Sequence, residues 1–334
     1  MKIGIYTTAL GSHISGGILC IVETLNALIR LGHECCCFVD DKPYRSDWLK
    51  TDFPVLPSDE IDSFDGILVS PYSPTAERVA FAKNADERFY WVHTNESLFC
   101  HNGPEWQDQA RRSYHLPLKI FCTSTYVQIL METVFNRYVI GALVPPGIDP
   151  QTFFPSNPLQ NKDVVNVGML HRPDWVRGHD VAVLGMQLAQ RTLGKHMNSV
   201  VIGPTSDRRQ MANRMRSLDI FIDPSRVAGS PTPVKEAMAC GAIPICTKYG
   251  TTDFVLDGYN GRIIPPDNIM SLSNQIVSIA NLSYEKRCDI ASQAAEYVKQ
   301  FSWDHIAMRF ESALGEGINR GDELLKTRNW NEPK

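Results

Sequence analysis

Two arginines five residues apart, Arg172 and Arg177, are the first side chains whose type and spacing predict binding chemistry. They follow an apolar run, VVNVGML, and precede a stretch with helical periodicity. A guanidinium group can donate two parallel hydrogen bonds to a phosphate, and ligands of α/β proteins collect at the carboxyl ends of strands. The pair therefore predicts a diphosphate site, with ordinary surface arginines as the alternative.

A second candidate site is the loop Gly229-Ser230-Pro231-Thr232, which lies between the apolar run DIFIDPS and a helical stretch with Glu236 in its first turn. The first amides of a helix attract phosphate, because their N–H groups and the helix dipole are positive there. A carboxylate one turn into the helix can accept hydrogen bonds from ribose hydroxyls. These residues predict a nucleotide site. The alternative for Glu236 is a favourable interaction with the helix dipole alone.

Gly16 and Gly17 close a glycine- and serine-rich loop that begins at Gly11, between the first apolar strand and the first helical stretch. Glycine lets backbone N–H groups approach an anion closely. The spacing differs from the G-x-G-x-x-G dinucleotide fingerprint, so a tight turn without a binding function is the alternative.

Alternating strand and helix patterns predict the elements that position these residues. In the first half, short β-prone runs alternate with helical stretches, which is the pattern of a parallel sheet covered on both faces. These runs lie at 2–6, 33–40, 66–70, 89–93 and 119–123.

A stretch rich in Pro, Gly and Asn at 145–162 separates this series from a second β/α series. We therefore predict an α/β protein with two Rossmann-like domains, residues 1–150 and 151–304. A C-terminal helix and tail, 305–334, could cross back to the first domain.

Composition excludes several classes of protein. With 33 Lys and Arg against 37 Asp and Glu, the net charge of -4 gives no global basic field for polyanion binding. The nine cysteines include no Cys-x-x-Cys pair and no zinc spacing, so we predict small buried residues in a reducing compartment and no structural metal. Because no apolar run reaches about 18 residues, we expect a cytoplasmic protein, with peripheral contact at the inner face of the membrane left open.

The second half of the chain resembles glycosyltransferase family 4, whose members are retaining enzymes of the GT-B fold. Glu236-Ala-Met-Ala-Cys-Gly matches the second Glu of the family's donor motif and the Ala-Met-Ala-x-Gly that follows it. Four further segments are similar to the family's Gly-Gly-x-x-Glu loop, Asp-Gly-x-Asn-Gly turn, linker and closing motif. They are Tyr249–Asp253, Asp257–Gly261, Val144–Pro155 and Phe301–Asp304. These matches cover most of the chain in the family's order.

The resemblance implies two Rossmann-like domains that face each other across a cleft, a nucleoside-diphosphate sugar as co-substrate, and no obligatory metal or other cofactor. Arg172 and Arg177 match the family's Arg-x-x-x-x-Lys-Gly pattern, with Arg in place of Lys, and would hold the donor diphosphate. Glu236 would hold the ribose. The loop Gly229–Thr232 would offer amides to the phosphates and the sugar.

In the first domain, Gly16 and Gly17 match the family's Gly-Gly loop, which approaches the donor phosphate. His93, at the end of the run FYWVH, is similar to the family's active-site histidine beside the reacting sugar. A buried core histidine is the alternative interpretation of His93.

One departure from the family concerns the sugar. The first Glu of the donor motif should fall at position 228, where this chain has Ala228. In the family that carboxylate contacts the transferred sugar, so the contact is missing here.

The function predicted from this resemblance is retaining transfer of a sugar to an acceptor hydroxyl in surface-glycan or lipid-linked glycan synthesis. Two alternatives stay open: transfer to a modified nucleic-acid base, and a catalytically weak nucleotide-sugar-binding partner subunit. A nicotinamide dehydrogenase is disfavoured because the dinucleotide fingerprint is missing. The acceptor and the donor nucleotide are undetermined, and the chain could act as a monomer or a homodimer.

Overall fold

The computed structural model describes residues 1–11, 15–41, 48–99, 103–155 and 164–325, which form two compact units. The first unit contains residues 1–147 and the C-terminal segment from Trp303, and the second is Ile148–Ser302. The sequence placed these divisions at residues 150 and 304. Parts of the predicted glycine loop, interdomain linker and tail lie outside the described residues, at 12–14, 156–163 and beyond 325.

The first unit is an α/β layer structure built on one parallel sheet. Its strands are β1 (Lys2–Tyr6), β2 (Glu34–Val39), β3 (Val55–Pro57), β4 (Ile67–Ser70), β5 (Glu87–Val92) and β6 (Lys119–Cys122). Its helices are α1 (Gly16–Arg30), α2 (Ser73–Ala80), α3 (Pro104–Ser113), α4 (Thr125–Thr133) and α10 (Trp303–Arg320). The strand order is β3-β2-β1-β4-β5-β6.

Every pair of neighbouring strands in this sheet is parallel, so the carboxyl ends of β1, β4 and β5 meet at one edge. Except in β3, the strand centres are buried on both faces, which explains why their sequences are continuous apolar runs such as CCCFV. The predicted strands are confirmed. The three-residue strand β3 was not predicted.

The helix α10 completes the first unit although it lies at the far end of the chain. The Glu316 carboxylate accepts a hydrogen bond of 2.9 Å from the Gly141 backbone N–H. The Trp303 ring packs so closely on Gly147 that a Cβ added there would lie 2.6 Å from it. This segment therefore belongs to the core of the first unit.

The second unit repeats the architecture. Its strands are β7 (Val165–Leu170), β8 (Met197–Ile202), β9 (Ile220–Asp223), β10 (Ile243–Thr247) and β11 (Arg262–Ile264). Its helices are α5 (His179–Leu193), α6 (Arg208–Arg216), α7 (Thr232–Ala239), α8 (Ile269–Ala280) and α9 (Tyr284–Val298). The parallel order β11-β10-β9-β7-β8 makes β7 and β9 neighbours. The loops that follow these two strands therefore start side by side.

The prediction of two Rossmann-like α/β units is confirmed. One detail is corrected: α7 begins at Thr232, so Glu236 lies in the second turn and not the first. Of the eight cysteines in the described ranges, none is in a disulfide and seven are buried.

Candidate donor site and active site

The ends of β7 and β9 bring the two predicted arginines to one pocket. Arg172 follows β7 by two residues, and Arg177 closes a short 3-10 turn, Trp175–Arg177. The next residue, Gly178, has a φ of +62°, and a Cβ there would lie 2.2 Å from the carbonyl oxygen of Pro224. Only glycine allows this turn to approach the loop after β9 so closely.

Arg172, Arg177 and Asp223 line this pocket, which is named the arginine pocket here. The positive charges of the two arginines repel each other. Burial lowers the pKa of Arg177, and the charge of Arg172 lowers it further, while Asp223 and Asp174 oppose this shift. Both arginines are half-buried, and Arg177 Nη1 lies 3.5 Å from the carbonyl oxygen of Val227. Neither guanidinium forms a salt bridge with any residue that the structure describes. An anion would relieve the repulsion between them.

The loop 224–231, named the β9 loop here, is fastened by a third arginine. Arg226 pairs with Asp180 at 2.7 Å and with Asp267 at 2.5 Å. Its Nη1 donates to the Trp175 carbonyl at 2.6 Å, and its backbone N–H donates to the Val176 carbonyl at 2.8 Å. Arg226 therefore ties the β9 loop to the turn that carries Arg177, a role that sequence reasoning missed.

The tip of the β9 loop offers backbone donors. Ala228 and Gly229 are buried, and Gly250, with a φ of +68°, lies so near that a Cβ on it would be 1.9 Å from the Gly229 carbonyl oxygen. The amides of Gly229 and Ser230 donate to no atom of the described residues. Two N–H groups are thus left for a ligand at the predicted phosphate loop.

Glu236 is buried and already has a protein partner. Its carboxylate, 3% exposed, forms a salt bridge with Arg208, the first residue of α6. The Arg208 guanidinium also stacks over the Phe153 ring at 4.6 Å. The bond engages Oε1, while Oε2 accepts no hydrogen bond from the described part of the chain. A ribose hydroxyl could therefore use Oε2 with Arg208 in place.

The remaining predicted residues of this segment have structural positions. Pro231 is the N-cap of α7 and Thr232 its first residue, and both are buried. Sequence reasoning also missed Arg208. The signal was there: a basic residue follows an Asp N-cap soon after the strand VVI.

His93 directly follows β5 in the first unit. Its ring packs edge-on against Trp91 with centroids 4.3 Å apart, and its carbonyl oxygen accepts from Thr123 Oγ1 at 2.8 Å. Nε2 is buried and has no hydrogen-bond partner among the described residues. Burial lowers the pKa of His93 to about 4, so the ring is neutral at pH 7. A neutral imidazole whose buried Nε2 has no described partner is compatible with both interpretations of this residue.

Glu96, three residues later, is a buried acid that the sequence did not single out. Its carboxylate accepts from the Ser73 N–H at 3.1 Å and from Ser73 Oγ at 2.6 Å, at the start of α2. Burial raises the pKa of Glu96 to about 7. The end of β5 therefore holds two buried titratable groups with opposite shifts.

Gly16 and Gly17 are the first two residues of α1, and Ser15 caps the helix by accepting from the Gly17 N–H at 3.2 Å. A Cβ added at Gly16 would meet no described atom within 4 Å, and one at Gly17 would meet only Ser15 Oγ at 3.6 Å. Packing within the described part of the first unit therefore gives no reason for glycine at either position.

The turn Asp257–Gly261, in contrast, is explained by the fold. Asn260 Oδ1 accepts from the Leu256 N–H at 2.7 Å, and its Nδ2 donates to the Phe254 carbonyl at 3.0 Å. A Cβ on Gly261 would lie 2.6 Å from Pro244. This part of the resemblance reflects turn structure.

A larger cavity of about 770 Å³ lies at the other edge of the second sheet, beside Asp219 at the amino end of β9. Phe153, Phe154 and Cys288 line it, and neither Arg172 nor Arg177 does. Its volume therefore says nothing about the arginine pocket, where the charges converge.

Two properties of the described residues bear on cofactors and membranes. No group of three or more His, Cys, Asp or Glu side chains among them could hold a metal ion. No helix in the same ranges is both long and apolar enough to cross a membrane.

The paired parallel sheets are those of the GT-B glycosyltransferase fold. A sucrose-phosphate synthase from Thermosynechococcus elongatus superposes with a TM-score of 0.73 at 14% identity, covering 96% of this chain and 100% of that one. HepE from Anabaena, in complex with UDP-glucose, superposes with a TM-score of 0.69 at 14% identity, covering 95% and 100%.

The model of the family glycosyl transferases group 1 matches residues 167–300, which lie within the second unit. A D-inositol 3-phosphate glycosyltransferase of Stackebrandtia nassauensis is 22% identical, over 59% of this chain and 54% of the relative. An N,N'-diacetylbacillosaminyl-diphospho-undecaprenol alpha-1,3-N-acetylgalactosaminyltransferase of Campylobacter jejuni is 31% identical, over 34% of this chain and 30% of the relative. The matches thus span about half or less of these relatives.

Proposed function

We propose that the protein is a retaining glycosyltransferase that moves a sugar from a UDP-sugar to a hydroxyl of a glycan or lipid-linked glycan. The observation that carries the proposal is the arginine pair: Arg172 and Arg177 line one pocket without a salt bridge in the described structure. Two adjacent cations without a salt bridge to a described residue suit a diphosphate. UDP is supported by HepE, whose structure contains UDP-glucose.

In this mechanism the bond between the anomeric carbon and the β-phosphate oxygen breaks while the acceptor hydroxyl attacks the same face of the sugar. The leaving phosphate takes the acceptor proton. Negative charge grows on the diphosphate in the transition state, so Arg172, Arg177 and the amides of Gly229 and Ser230 stabilise it. His93, Gly16 and Gly17 keep the roles that the family resemblance implies.

We further propose that turnover needs no metal ion. The two guanidinium groups supply the positive charge that a divalent cation supplies to diphosphates at other sites. Turnover that is unchanged after EDTA treatment supports this point, and activity that returns only with added Mg²⁺ or Mn²⁺ contradicts it.

A lipid-linked acceptor is supported by the Campylobacter jejuni relative, whose name specifies a diphospho-undecaprenol acceptor. Such an acceptor would bring the protein to the inner face of the membrane as a peripheral protein. Flotation with liposomes that contain or lack a polyprenyl diphosphate glycan tests this. Binding that is the same with both kinds of liposome contradicts it.

One observation favours a second candidate, a partner subunit that binds a nucleotide sugar without transferring it. Position 228, where the family has a carboxylate that contacts the sugar, is a buried Ala228.

The experiment that separates the two candidates is a thermal-shift screen with UDP-, GDP-, ADP- and CMP-sugars, followed by assays of nucleotide release with and without acceptors. A bound donor stabilises the folded state by about 2.7 kcal/mol at one hundred times its Kd. Stabilisation with turnover supports the transferase, and stabilisation without turnover supports the partner subunit. No stabilisation by any donor overturns both.

A further inference from the structure

Compared with the family motif, the β9 loop lacks a carboxylate side chain that accepts hydrogen bonds, and it has backbone N–H groups that donate them. Ala228 stands where the family motif has its first Glu, and it is buried at 3% exposure. Besides the backbone carbonyl oxygens, the polar groups left at the tip are the N–H groups of Gly229 and Ser230 and the Ser230 hydroxyl. Two of these three groups can only donate, and the hydroxyl can do either.

Lys235 determines which way the Ser230 hydroxyl acts. Lys235 Nζ lies 3.0 Å from Ser230 Oγ. An ammonium group has three donors and no acceptor, so Ser230 must be the acceptor of this bond. The hydroxyl hydrogen of Ser230 then points elsewhere, and no described atom accepts it. The charged partner also polarises the hydroxyl and strengthens it as a donor.

Lys235 is held firmly enough to maintain this arrangement. It is fully buried at 0% exposure, and its ammonium lies over the Phe254 ring at 5.2 Å and the Phe301 ring at 5.3 Å. The loop backbone above it is fixed by the close contact between Gly250 and Gly229. Ser230 is only half-buried, so its hydroxyl can reach a ligand.

We infer that this loop selects a donor whose transferred sugar carries a carboxylate, a hexuronic acid, with Ser230 as its hydrogen-bond donor and Lys235 as the positioning residue. The inference rests on the proposed function. A glutamate at position 228 would accept hydrogen bonds from the hydroxyls of a neutral hexose. Residues 224–231 of this chain include no carboxylate side chain. The N–H donors, the Ser230 hydroxyl and the buried Lys235 cation favour a group that only accepts.

The test is a calorimetric comparison of UDP, UDP-glucose and UDP-glucuronate binding to the full chain. The two sugars differ only in CH₂OH against COO⁻ at one carbon. We expect UDP-glucuronate to bind about tenfold more tightly than UDP-glucose, the size of one charge-assisted hydrogen bond. Equal affinity, or tighter binding of UDP-glucose, overturns the inference and leaves the proposed function standing. If UDP itself does not bind, the assignment of UDP in the proposed function fails, and the inference fails with it.

Variants assign the preference to the residues. Ser230→Ala should abolish most of the tenfold ratio, and Ser230→Thr, which keeps a hydroxyl, should retain it. Lys235→Met should reduce the ratio like Ser230→Ala, while Lys195→Met, at an exposed lysine after α5, should leave it unchanged. If Lys235→Met does not fold, the comparison of Ser230→Ala with Ser230→Thr tests the role of the Ser230 hydroxyl by itself. A ratio that survives Ser230→Ala overturns the assignment of Ser230 and Lys235.

Discussion

In both units the candidate site residues follow the carboxyl ends of parallel strands. The electrostatic character of the two strand ends is opposite. After β5, His93 and Glu96 are buried and their pKa values shift towards the neutral forms. After β7, Arg172 and Arg177 are half-buried, and although the pKa of Arg177 is lowered, a guanidinium group stays charged at pH 7. The first unit thus suppresses charge where the second concentrates it. A charged ligand group is best stabilised at the second strand end, and uncharged groups suit the first.

The largest effect should come from removing the cations. Arg172→Ala and Arg177→Ala should each lower kcat about 100- to 1,000-fold, the range for loss of one group that stabilises transition-state charge. Steady-state kinetics with a UDP-sugar measures this. Arg191→Ala, at an exposed arginine of α5, is the matched control and should leave kcat within about twofold. Unchanged turnover in the Arg172 and Arg177 variants contradicts the donor-site assignment.

The buried pair of the first unit should be visible as two opposing pH dependences of stability. The pKa of His93 is lowered to about 4, so its contribution is present above pH 6.5 and is lost as the pH falls towards 4. The pKa of Glu96 is raised to about 7, so its contribution is present below about pH 4.5 and is lost as the pH rises through 7. Each contribution amounts to at most about 3 kcal/mol, and they nearly cancel in the wild type.

Urea unfolding between pH 4 and pH 7.5 separates the two contributions. Relative to wild type, Glu96→Gln should gain up to about 3 kcal/mol between pH 4.5 and 7.5, because no buried carboxylate has to ionise. His93→Gln should gain a similar amount, about 3 kcal/mol, between pH 6.5 and 4. Curves for both variants that run parallel to the wild type would show that these groups are not buried as described.

Glu236 of the second unit is a buried carboxylate like Glu96 of the first, but it is paired with a cation, Arg208. Arg208→Ala should destabilise the protein by about 2 to 3 kcal/mol, because a buried carboxylate loses its partner. The double variant Arg208→Ala with Glu236→Gln should recover most of that loss. Denaturant unfolding measures both. If the double variant is no more stable than Arg208→Ala, the pair is not responsible.

The smallest effect on folding is expected at Gly17. Gly17→Ala should change the free energy of unfolding by less than about 0.5 kcal/mol, since the added Cβ meets only Ser15. It should weaken donor binding about fivefold if the amide approaches phosphate, which calorimetry measures. Gly147→Ala, which forces a Cβ against Trp303, is the contrasting variant and should cost about 1 to 3 kcal/mol of stability. Full donor affinity in Gly17→Ala would contradict the predicted phosphate contact.

Most of the fold could be predicted from the sequence, because parallel strands buried on both faces leave continuous apolar runs between helical stretches. The strands β7, β9 and β10 follow this rule, whereas β8, at the edge of the sheet, is largely exposed. The strand β3 was not predicted, because three residues are too few to show a strand periodicity and Val55–Pro57 is only half-buried.

The site was only partly predictable. Arg172 and Arg177 could be proposed from the sequence because they are close together and follow a strand, and the structure places both at one pocket. The salt bridge between Arg208 and Glu236 joins different helices, and no local periodicity encodes such a pairing. Lys235 reads as a solvated helix residue in the sequence, yet it is fully buried, because α7 is covered on every side. Burial of a charge is a tertiary property.

The return of α10 to the first unit has a consequence for synthesis on the ribosome. The second unit is continuous in sequence, whereas the first needs two stretches separated by the whole of the second. Domains fold as their residues emerge, and contacts distant in sequence form late. We expect the core of the second unit to form first. The core of the first unit cannot be completed until Trp303 and the rest of α10 have been synthesised.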